Sequence, residues 1–239
     1  EIIGYPSTTI LRATQRLIRD HRLLNENEGN RYSFRHGKIR EVTYQETTPN
    51  LRKAYHAAWC DLHLTGATRG ITPSQEEIAN HCMRAGREVQ SLPYLQNAAR
   101  RATEMCAYRE ATTYWERLET IYNKLTAVEA DAEIELNLRL GQICYETGDY
   151  STSAIRCKRA FRLAKLRCRP KHQGDALMRL GSIYRDRSRW ETAKRLYNAS
   201  LTQYHRSKDH IGTMAAKTNI GLLAYLKGDW ASANTILSD

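Results

Sequence analysis

The stretch LGQICYETGDY, residues 140–150, returns twice in this chain at a fixed interval. It comes back as LGSIYRDRSRW at 180–190 and as IGLLAYLKGDW at 220–230. The phrases share a glycine at the second position, and these glycines are forty residues apart: Gly141, Gly181 and Gly221. A fixed period of this length is typical of stacked helix pairs. Because such arrays present extended binding surfaces, the pattern favours a binding protein over an enzyme.

The repeated residues suit two antiparallel helices that pack closely. A Gly inside a helix costs about 1 kcal/mol relative to Ala, so we expect each repeated glycine to permit close approach of the second helix. Gly148-Asp149 and Gly228-Asp229 are expected to form turns between helices. An aromatic residue follows each turn and is expected to fill the joint with a large buried side chain. These aromatics are Tyr150, Trp190 and Trp230.

The rest of the chain is also mostly helical in pattern, and the composition indicates an all-α protein. Of the 239 residues, 41% are hydrophobic and only 5 are proline, while strand formers are sparse after the first quarter. The spacing predicts helices over about 7–21, 36–45 and from Pro49 to before Gly66. Two short apolar segments around NENEGN, residues 25–30, predict a β-hairpin.

The forty-residue phrase resembles the tetratricopeptide repeat. Leu-Gly at 140–141 and 180–181, with Tyr184, Trp190 and Ala193, matches the packing positions of that family. The standard period is about 34 residues, so the period of forty implies longer helices or longer connections. The resemblance covers about 90–239 and implies a right-handed α-α superhelix of helix pairs.

The first third resembles the segment that follows the nucleotide-binding core of STAND-class regulators, which are bacterial signalling ATPases that include the maltose-operon activator. In them a winged helix carries a phrase of the form YxFRHxLIRExxY, and Lys38 departs from it here. The matching residues are Tyr32, Phe34, Arg35, His36, Ile39, Arg40, Glu41, Tyr44, Pro49 and His56. The resemblance implies a partial winged helix with a hairpin, with Arg35 and His36 as nucleotide-sensing residues in the full-length protein. The alternative is that these two residues only close the hairpin onto the next helix.

The two resemblances give a domain layout. We expect a partial winged helix with connecting helices over 1–66, a linker over 67–75 and tetratricopeptide-like repeats over 76–239. The linker lies in TGATRGITPS, which is rich in glycine and hydroxyl residues. The chain contains no GxxxxGK[ST] phosphate-binding loop. We therefore expect a non-catalytic fragment of a longer protein without a cofactor of its own, and ATP with Mg²⁺ would bind an upstream core.

The concave face of a helical array is its usual binding surface, and the first helix of each pair lines it. Tyr145, Arg185 and Tyr225 occupy equivalent positions, and Tyr and Arg are enriched in binding hot spots. An ordinary solvent-lined groove is the alternative. The residues predicted to face inward are Gln142, Tyr145, Met178, Ser182, Arg185, Thr218, Leu222 and Tyr225.

The formal net charge of +11 favours acidic partners, including nucleic acid. The stretch 156–171 is the densest basic segment, and a solvated helix face is the alternative to phosphate binding. Its candidate nucleic-acid contacts are Arg156, Arg159, Arg162 and Lys165. The first helix is a second candidate DNA-binding element, with Arg12, Arg16 and Arg19, and Arg22 beyond its end.

Metal and membrane sites have little support. His56, Cys60 and His63 share one helix face, but a single helix rarely completes a zinc site, so we predict none. None of the 6 cysteines lies in a CxxC pair, which favours reduced core thiols and a cytoplasmic location. No apolar run is long enough to cross a bilayer, so we expect no membrane association.

Together these patterns predict a binding module of a STAND-type regulator. A protein, peptide or small effector would occupy the superhelical groove, and its binding would control an ATPase core through intramolecular contact. Nucleic-acid binding through the winged helix and the stripe around Arg159 is one alternative. A passive protein–protein scaffold is the other.

Overall fold

The computed structural model describes residues 7–27, 31–65 and 73–238. The chain divides into two compact units, Glu1–Leu95 and Gln96–Asp239. Within the described ranges, the elements in chain order are α1 (Ser7–Arg19), β1 (Leu24–Asn27), β2 (Arg31–Phe34), α2 (Gly37–Glu46), α3 (Pro49–Leu64), α4 (Gln75–Arg84), α5 (Glu88–Glu104), α6 (Tyr108–Tyr122), α7 (Ala130–Glu146), α8 (Tyr150–Leu166), α9 (Pro170–Asp186), α10 (Trp190–Ser207), α11 (His210–Leu226) and α12 (Trp230–Ser238). The all-α assignment and the single short hairpin before the helical array are confirmed.

The first unit contains the hairpin and the first helices. Strands β1 and β2 pair antiparallel, with Leu24 opposite Phe34. The turn predicted at 25–30 falls partly on 28–30, and most of the predicted linker falls on 66–72; both stretches lie outside the described residues. Helix α4 begins at a reciprocal cap, in which Glu77 N donates to Ser74 Oγ and Ser74 N donates to Glu77 Oε2. This cap satisfies two backbone donors that the helix itself leaves free.

The second unit repeats one helix every twenty residues from Ala130 onward. The helices begin at Ala130, Tyr150, Pro170, Trp190, His210 and Trp230. Helices α7, α8, α9 and α11 have 17 residues and α10 has 18. The connections between them are only two or three residues long. The period of forty therefore arises from longer helices and not from longer connections.

Each turn within a helix pair uses one residue in the left-handed region. Gly148 and Gly228 have φ of +86° and +80°, as the glycines in these turns predict. Ser188 occupies the same repeat position with φ of +57°. After the first of these turns, Asp149 caps α8 by accepting from Thr152 N. Hydrogen bonds with Thr152 and Ser151 hold the pKa of Asp149 down at about 2, and those with Thr152 contribute most.

Two of the repeated glycines, Gly141 and Gly181, permit close helix packing, as predicted. A Cβ at Gly141 would lie 2.9 Å from Cys157 Sγ, and one at Gly181 would lie 2.5 Å from the ring of Tyr197. Gly174 and Gly212 perform the same role against the ring of Tyr204, although neither belongs to the repeated phrase. The second helix of a pair thus approaches where the first has no side chain.

One prediction about the aromatic residues is wrong. Tyr150 and Trp190 are half-buried, but Trp230 is 62% exposed. The reason is that these rings are covered by the following helix pair. Tyr150 packs beside Leu180 and Ile183, whereas Trp230 contacts Tyr225 of its own pair, edge to face at 4.7 Å.

Candidate functional site

The first helices of three consecutive pairs, α7, α9 and α11, lie side by side, with α9 in contact with both of the others. They present the inward positions of the repeat on one surface, which we call the groove. Gln142 and Tyr145 on α7 and Met178, Ser182 and Arg185 on α9 are partly buried there. Five of the eight predicted groove residues thus lie in a shielded setting that favours specific contacts.

A chain of hydrogen bonds crosses the groove from α7 to α11. Tyr145 donates its hydroxyl proton to Asp186, and Arg185 Nη2 donates to the Tyr145 oxygen at 3.1 Å. Arg185 also donates through Nη1 to Asn219 Oδ1 at 3.1 Å and through Nε to Asp186 Oδ1 at 2.8 Å. Arg185 is therefore held between two neighbouring helices. We call Tyr145, Arg185, Asp186 and Asn219 the polar ladder.

The polar ladder keeps its hydroxyl group protonated. Burial raises the pKa of Tyr145 to about 12, and the hydrogen bond to Asp186 acts in the same direction. At neutral pH the ladder thus consists of a neutral phenol, one guanidinium, one carboxylate and one amide. Its ion pair is balanced, and its carboxylate and amide oxygens have further lone pairs that can accept hydrogen bonds from a peptide backbone.

Beside the polar ladder, α7, α9 and Tyr204 of α10 enclose a cavity of about 460 Å³. Three predicted groove residues, Gln142, Met178 and Ser182, line it. The other lining residues are Glu135, Leu138, Arg139, Lys171, His172, Asp175, Arg179 and Tyr204. The volume falls in the range of ligand pockets, and the lining combines apolar side chains with both signs of charge.

Most charges in this cavity already have partners. Arg100 donates to both Glu135 oxygens, and Arg139 lies 3.7 Å from the same carboxylate. Burial acts to raise the pKa of Glu135, but the combined effect of Arg100 and Arg139 outweighs burial and lowers the pKa. The remaining pairs are Lys171 with Asp209, and Asp175 with the hydroxyl of Tyr204 at 2.9 Å.

Arg179 differs from its neighbours. Its Nε is buried and has no hydrogen-bond acceptor within the described residues. In that part of the chain its guanidinium also lacks a carboxylate within ion-pair distance. The forty-residue period could have identified this position, because Arg139, Arg179 and Asn219 occupy the same place in successive repeats. All three face the groove, and the repeated phrase drew attention only to the residues that follow them.

The three predicted groove residues of α11 are more open. Thr218 bonds back to Met214 O at 2.9 Å, and Leu222 is 38% exposed. Tyr225, the counterpart of Tyr145 and Arg185, is 51% exposed and contacts Trp230 rather than the polar ladder. The structure therefore brings the predicted residues of α7 and α9 together but leaves those of α11 outside the ladder.

The basic stripe on α8 is largely neutralised. Arg156 donates to Glu119 of α6 through both terminal nitrogens, and Arg159 Nη2 lies 3.1 Å from Glu133 of α7. Arg162 and Lys165 are exposed, and no partner accompanies them in the described part of the chain. The stripe itself contains no acidic residue, and the acids that pair with its arginines lie 26–38 residues away along the chain. The local sequence therefore gave no sign of this pairing.

The remaining sequence candidates lie in the first unit. Arg35 closes the hairpin through its backbone N, which donates to Leu23 O at 2.9 Å, and His36 precedes α2 as its N-cap residue without a side-chain cap. Both side chains are exposed. This geometry agrees with a hairpin-closing role, and the nucleotide-sensing role stays a prediction.

The face that carries His56 and Cys60 packs against α4. His56 Nδ1 lies 3.0 Å from His81 Nδ1, and Cys60 Sγ lies 3.2 Å from Cys82 Sγ. Burial raises the pKa of the Cys60 thiol to about 12, which keeps it protonated. Over the described ranges there is no cluster of three or more His, Cys, Asp or Glu that could hold a metal ion. Nor does any helix in those ranges have the length and apolar character needed to cross a membrane.

Comparison with known families and structures supports the helical-repeat fold. Residues 172–239 match the tetratricopeptide repeat family. No curated protein matches the chain. We therefore describe the second unit as a tetratricopeptide-like array, and the winged helix predicted for the first unit stays a prediction.

Solved structures similar to this chain have low sequence identity to it, so the likeness concerns the fold alone. Aspartyl phosphate phosphatase F from Bacillus subtilis is 12% identical with a TM-score of 0.57, over 83% of this chain and 52% of that one. NprR in complex with its cognate peptide NprX is 13% identical with a TM-score of 0.52, over 98% and 73%. BtubC from P. vanneervenii is 15% identical with a TM-score of 0.52, over 80% and 71%. The chain thus spans between about half and three quarters of the length of these structures.

Proposed function

We propose that the chain is a non-catalytic binding module whose groove on α7, α9 and α11 takes an extended peptide segment. The observation that carries the proposal is the polar ladder with the adjoining cavity. Four side chains from three helices are held in one arrangement before any ligand binds, which lowers the entropic cost of binding. The carboxylate and amide oxygens of the ladder have further lone pairs, which suit the N–H groups of a peptide backbone.

Two further facts support a peptide as the ligand. The cavity combines the apolar side chains Leu138 and Met178 with polar groups, as sites for amphipathic ligands do. A solved structure with the same fold, NprR, holds a cognate peptide. A helical repeat array generally offers its partner a surface rather than catalytic groups.

The test is direct binding of a synthetic peptide library to the purified chain. We expect library members that bind to lose affinity at least about tenfold when Tyr145→Ala and Arg185→Ala are combined, because the ladder then loses both of its bridging groups. Arg162→Ala, on the outer face of α8, is the matched control and should leave affinity unchanged. Binding that survives the loss of both ladder residues would contradict the proposal.

The finer proposal is that the module senses an effector for a STAND-type regulator. In that case groove occupancy changes the ATP hydrolysis of a core carried by the full-length protein, with Arg35 and His36 near its nucleotide. The resemblance of residues 32–44 to the phrase of that class supports this role. The test is the effect of a groove-binding peptide on ATP hydrolysis by the full-length protein. Binding without any change in hydrolysis would instead support a passive scaffold.

Nucleic-acid binding through α1 is a second candidate. Arg12, Arg16 and Arg19 line one exposed surface at α1 together with Gln15 and with Asp20, which follows the helix. The described ranges show no ion pair for these three arginines, so this surface keeps a net positive charge, unlike the α8 stripe. It predicts duplex DNA binding that weakens steeply with salt and is lost in Arg16→Ala with Arg19→Ala. Absence of binding to duplex DNA at low salt would remove this candidate.

A further inference from the structure

The side of α11 that faces away from α9 exposes a continuous stripe of uncharged side chains. Ile211 and Met214 are 84% and 68% exposed, and Tyr225 is about half exposed. A spacing of three or four residues places the members of the stripe on one face of the helix. We call this set the outer stripe, and its members are Ile211, Met214, Ala215, Thr218, Leu222 and Tyr225.

The same positions are covered in the two preceding first helices of the array. Forty residues earlier, on α9, five of the six positions are at least partly buried, and eighty residues earlier, on α7, all six are. There α9 packs beside α7, and α11 packs beside α9. The outer stripe is exposed because α11 is the last first helix in the described ranges. It is therefore a face of the kind that this fold covers.

The chemistry of the outer stripe differs from that of the junctions inside the array. Lys171 on α9 pairs with Asp209, the residue that precedes α11, so the junction between these helices includes an ion pair. Ile211 occupies the position of Lys171 on α11, and Leu222 occupies the position of Ser182. A further pair of the same kind would therefore meet apolar side chains where its polar groups need partners. The outer stripe suits an apolar surface instead.

The whole of the last helix pair in the described ranges is poor in charge. Residues 210–238 contain 3 charged side chains, whereas the equivalent residues 170–198 contain 10. The three are Lys217, Lys227 and Asp229. Of these, Lys227 is neutralised by an ion pair with Glu191. Because the chain carries a net charge of +11, this weakly charged surface is where two copies can approach with little repulsion.

The outer stripe is also complementary to itself in shape. Its small members, Ala215 and Thr218, lie at its centre, and its larger members lie towards its ends. Two copies of α11 that cross antiparallel about Thr218 bring Met214 of each copy opposite Leu222 of the other. The hydroxyl of Thr218 already donates to Met214 O, so covering it leaves no donor without a partner.

The size of the apolar surface is sufficient for a stable interface. Leu226 and Trp230 are exposed beside the stripe, and the ring of Trp230 contacts that of Tyr225 edge to face. Together the large apolar side chains expose roughly 700 Å², which is close to the ~800 Å² that each partner contributes to a standard interface. Tyr and Trp are also the residue types that dominate interface energetics.

We propose that two copies of this chain associate through α11 and α12 as a two-fold symmetric dimer, with the outer stripe of each copy packed on that of the other. This interaction goes beyond peptide binding and does not depend on it. The outer stripe contains no residue of the polar ladder and none that lines the cavity, so both stay open in the dimer.

The first experiment is sedimentation equilibrium of the purified chain over concentrations from about 1 to 200 µM. We expect a monomer–dimer equilibrium with a Kd at or below about 100 µM. Raising the salt concentration should not weaken the dimer, because the interface is apolar and salt screens the repulsion between two positive chains. An acidic partner surface would give the opposite dependence on salt.

The second experiment compares two matched substitutions of exposed apolar residues by lysine. Met214→Lys should weaken dimerisation at least about tenfold, because the dimer would cover a charge that has no partner. Ile155→Lys on α8 is the control, since Ile155 is 67% exposed and lies outside the outer stripe, and it should leave the dimer unchanged. Unchanged circular dichroism confirms that both variants fold.

The third experiment tests the two-fold geometry by mixing two variants that are each impaired. Leu222→Glu alone should weaken dimerisation as Met214→Lys does. An equimolar mixture of the two should recover a mixed dimer, because the introduced charges have opposite signs and meet across the interface. A mixture that associates no better than either variant alone would overturn the proposed crossing.

The remaining outcomes separate this proposal from its alternatives. A chain that stays monomeric over the whole concentration range overturns the proposal, and so does a dimer that Met214→Lys leaves intact. If the chain is monomeric and the amide signals of the outer stripe shift only with a library peptide, a peptide occupies the stripe and dimerisation is wrong. A dimer that binds no library peptide supports this proposal and contradicts the peptide-binding function.

Discussion

At the scale of single residues, the close packing of helices in the array depends on its glycines as much as on its large side chains. Gly181 on α9 faces the ring of Tyr197, which is fully buried on α10. The hydroxyl of Tyr197 lies 3.2 Å from Ser182 Oγ, so the ring is held at both ends. A ring anchored in this way cannot move aside for an added methyl group.

We therefore predict that Gly181→Ala destabilises the second unit by about 1–3 kcal/mol, because overpacking outweighs the gain in helix propensity of about 1 kcal/mol. The measurement is urea unfolding followed by circular dichroism. The same substitution in a Tyr197→Leu background should cost less, since the ring that it meets is gone. Equal costs in the two backgrounds would show that the contact is unimportant.

The basic stripe provides a second residue-scale prediction. Arg156 makes a two-point contact with Glu119, and the side chains of both are about four-fifths shielded from solvent (exposed fractions of 23% and 21%). Arg156→Ala should therefore destabilise the second unit by about 1–3 kcal/mol, because Glu119 loses its partner. Arg162→Ala, at an exposed position further along the same helix, should have almost no effect in the same unfolding assay. Similar small effects at both sites would mean that the ion pair contributes nothing.

His81 predicts a pH dependence for the first unit. Burial, followed by the charges of His56 and Arg84, lowers its pKa to about 4, while Glu77 acts in the opposite direction. Burial and Arg84 also lower the pKa of His56. Because the unfolded chain binds the proton near pH 6.5 and the folded chain does not, stability should be full above about pH 6.5 and fall towards pH 4.

Histidine proton signals followed by NMR as a function of pH measure this directly. His81 should stay neutral down to about pH 4, and His81→Gln should flatten the dependence of unfolding free energy on pH between about 6.5 and 4. A His81 midpoint near its ordinary value, or an unchanged slope in His81→Gln, would contradict this account of the cluster.

At the scale of elements, the turn inside each helix pair contains one residue with left-handed φ, and this residue is either Gly or Ser. Gly148 and Gly228 adopt left-handed φ at little cost, whereas Ser188 adopts it with a Cβ. Ser188→Gly should therefore stabilise the second unit or leave it unchanged, within about 1 kcal/mol, and Gly148→Ala should destabilise it by about 1 kcal/mol. Thermal unfolding of both variants gives the comparison, and a destabilising Ser188→Gly would show that the serine side chain matters more than its backbone.

Helices and turns of this chain could be predicted from sequence because their signals are local. The glycines, the prolines near helix starts and the apolar spacing all act within one turn, and they predicted the hairpin and helices such as Pro49–Leu64 closely. The contacts between helices could not be predicted in this way. Tyr145 meets Asp186 and Lys227 meets Glu191, about one repeat apart along the chain, so they depend on how successive pairs stack.

Trp230 shows the same limit. Its place in the repeated phrase predicts the residue type and the helix start, but its burial depends on a neighbouring pair, which the phrase does not encode. Arg179 shows the opposite case. It lies just before the repeated phrase, yet its position recurs every forty residues and faces the groove.

At the scale of the whole chain, we interpret the second unit as a preorganised binding surface and α1 as a separate basic surface. The groove residues of α7 and α9 could be predicted from the period, since inward positions recur every forty residues. Their hydrogen-bond partners Asp186 and Asn219 required the structure. The central claim is that a peptide binds across α7, α9 and α11.

The most direct test of this claim is NMR mapping of backbone amide shifts on the chain during titration with a library peptide that binds. The account predicts that the saturable shifts concentrate on α7, α9 and α11 around Tyr145, Arg179 and Arg185, and that they vanish in the Tyr145→Ala with Arg185→Ala variant. Shifts that concentrate instead on the outer face of α8 around Arg162, or on α1 around Arg16, would contradict it.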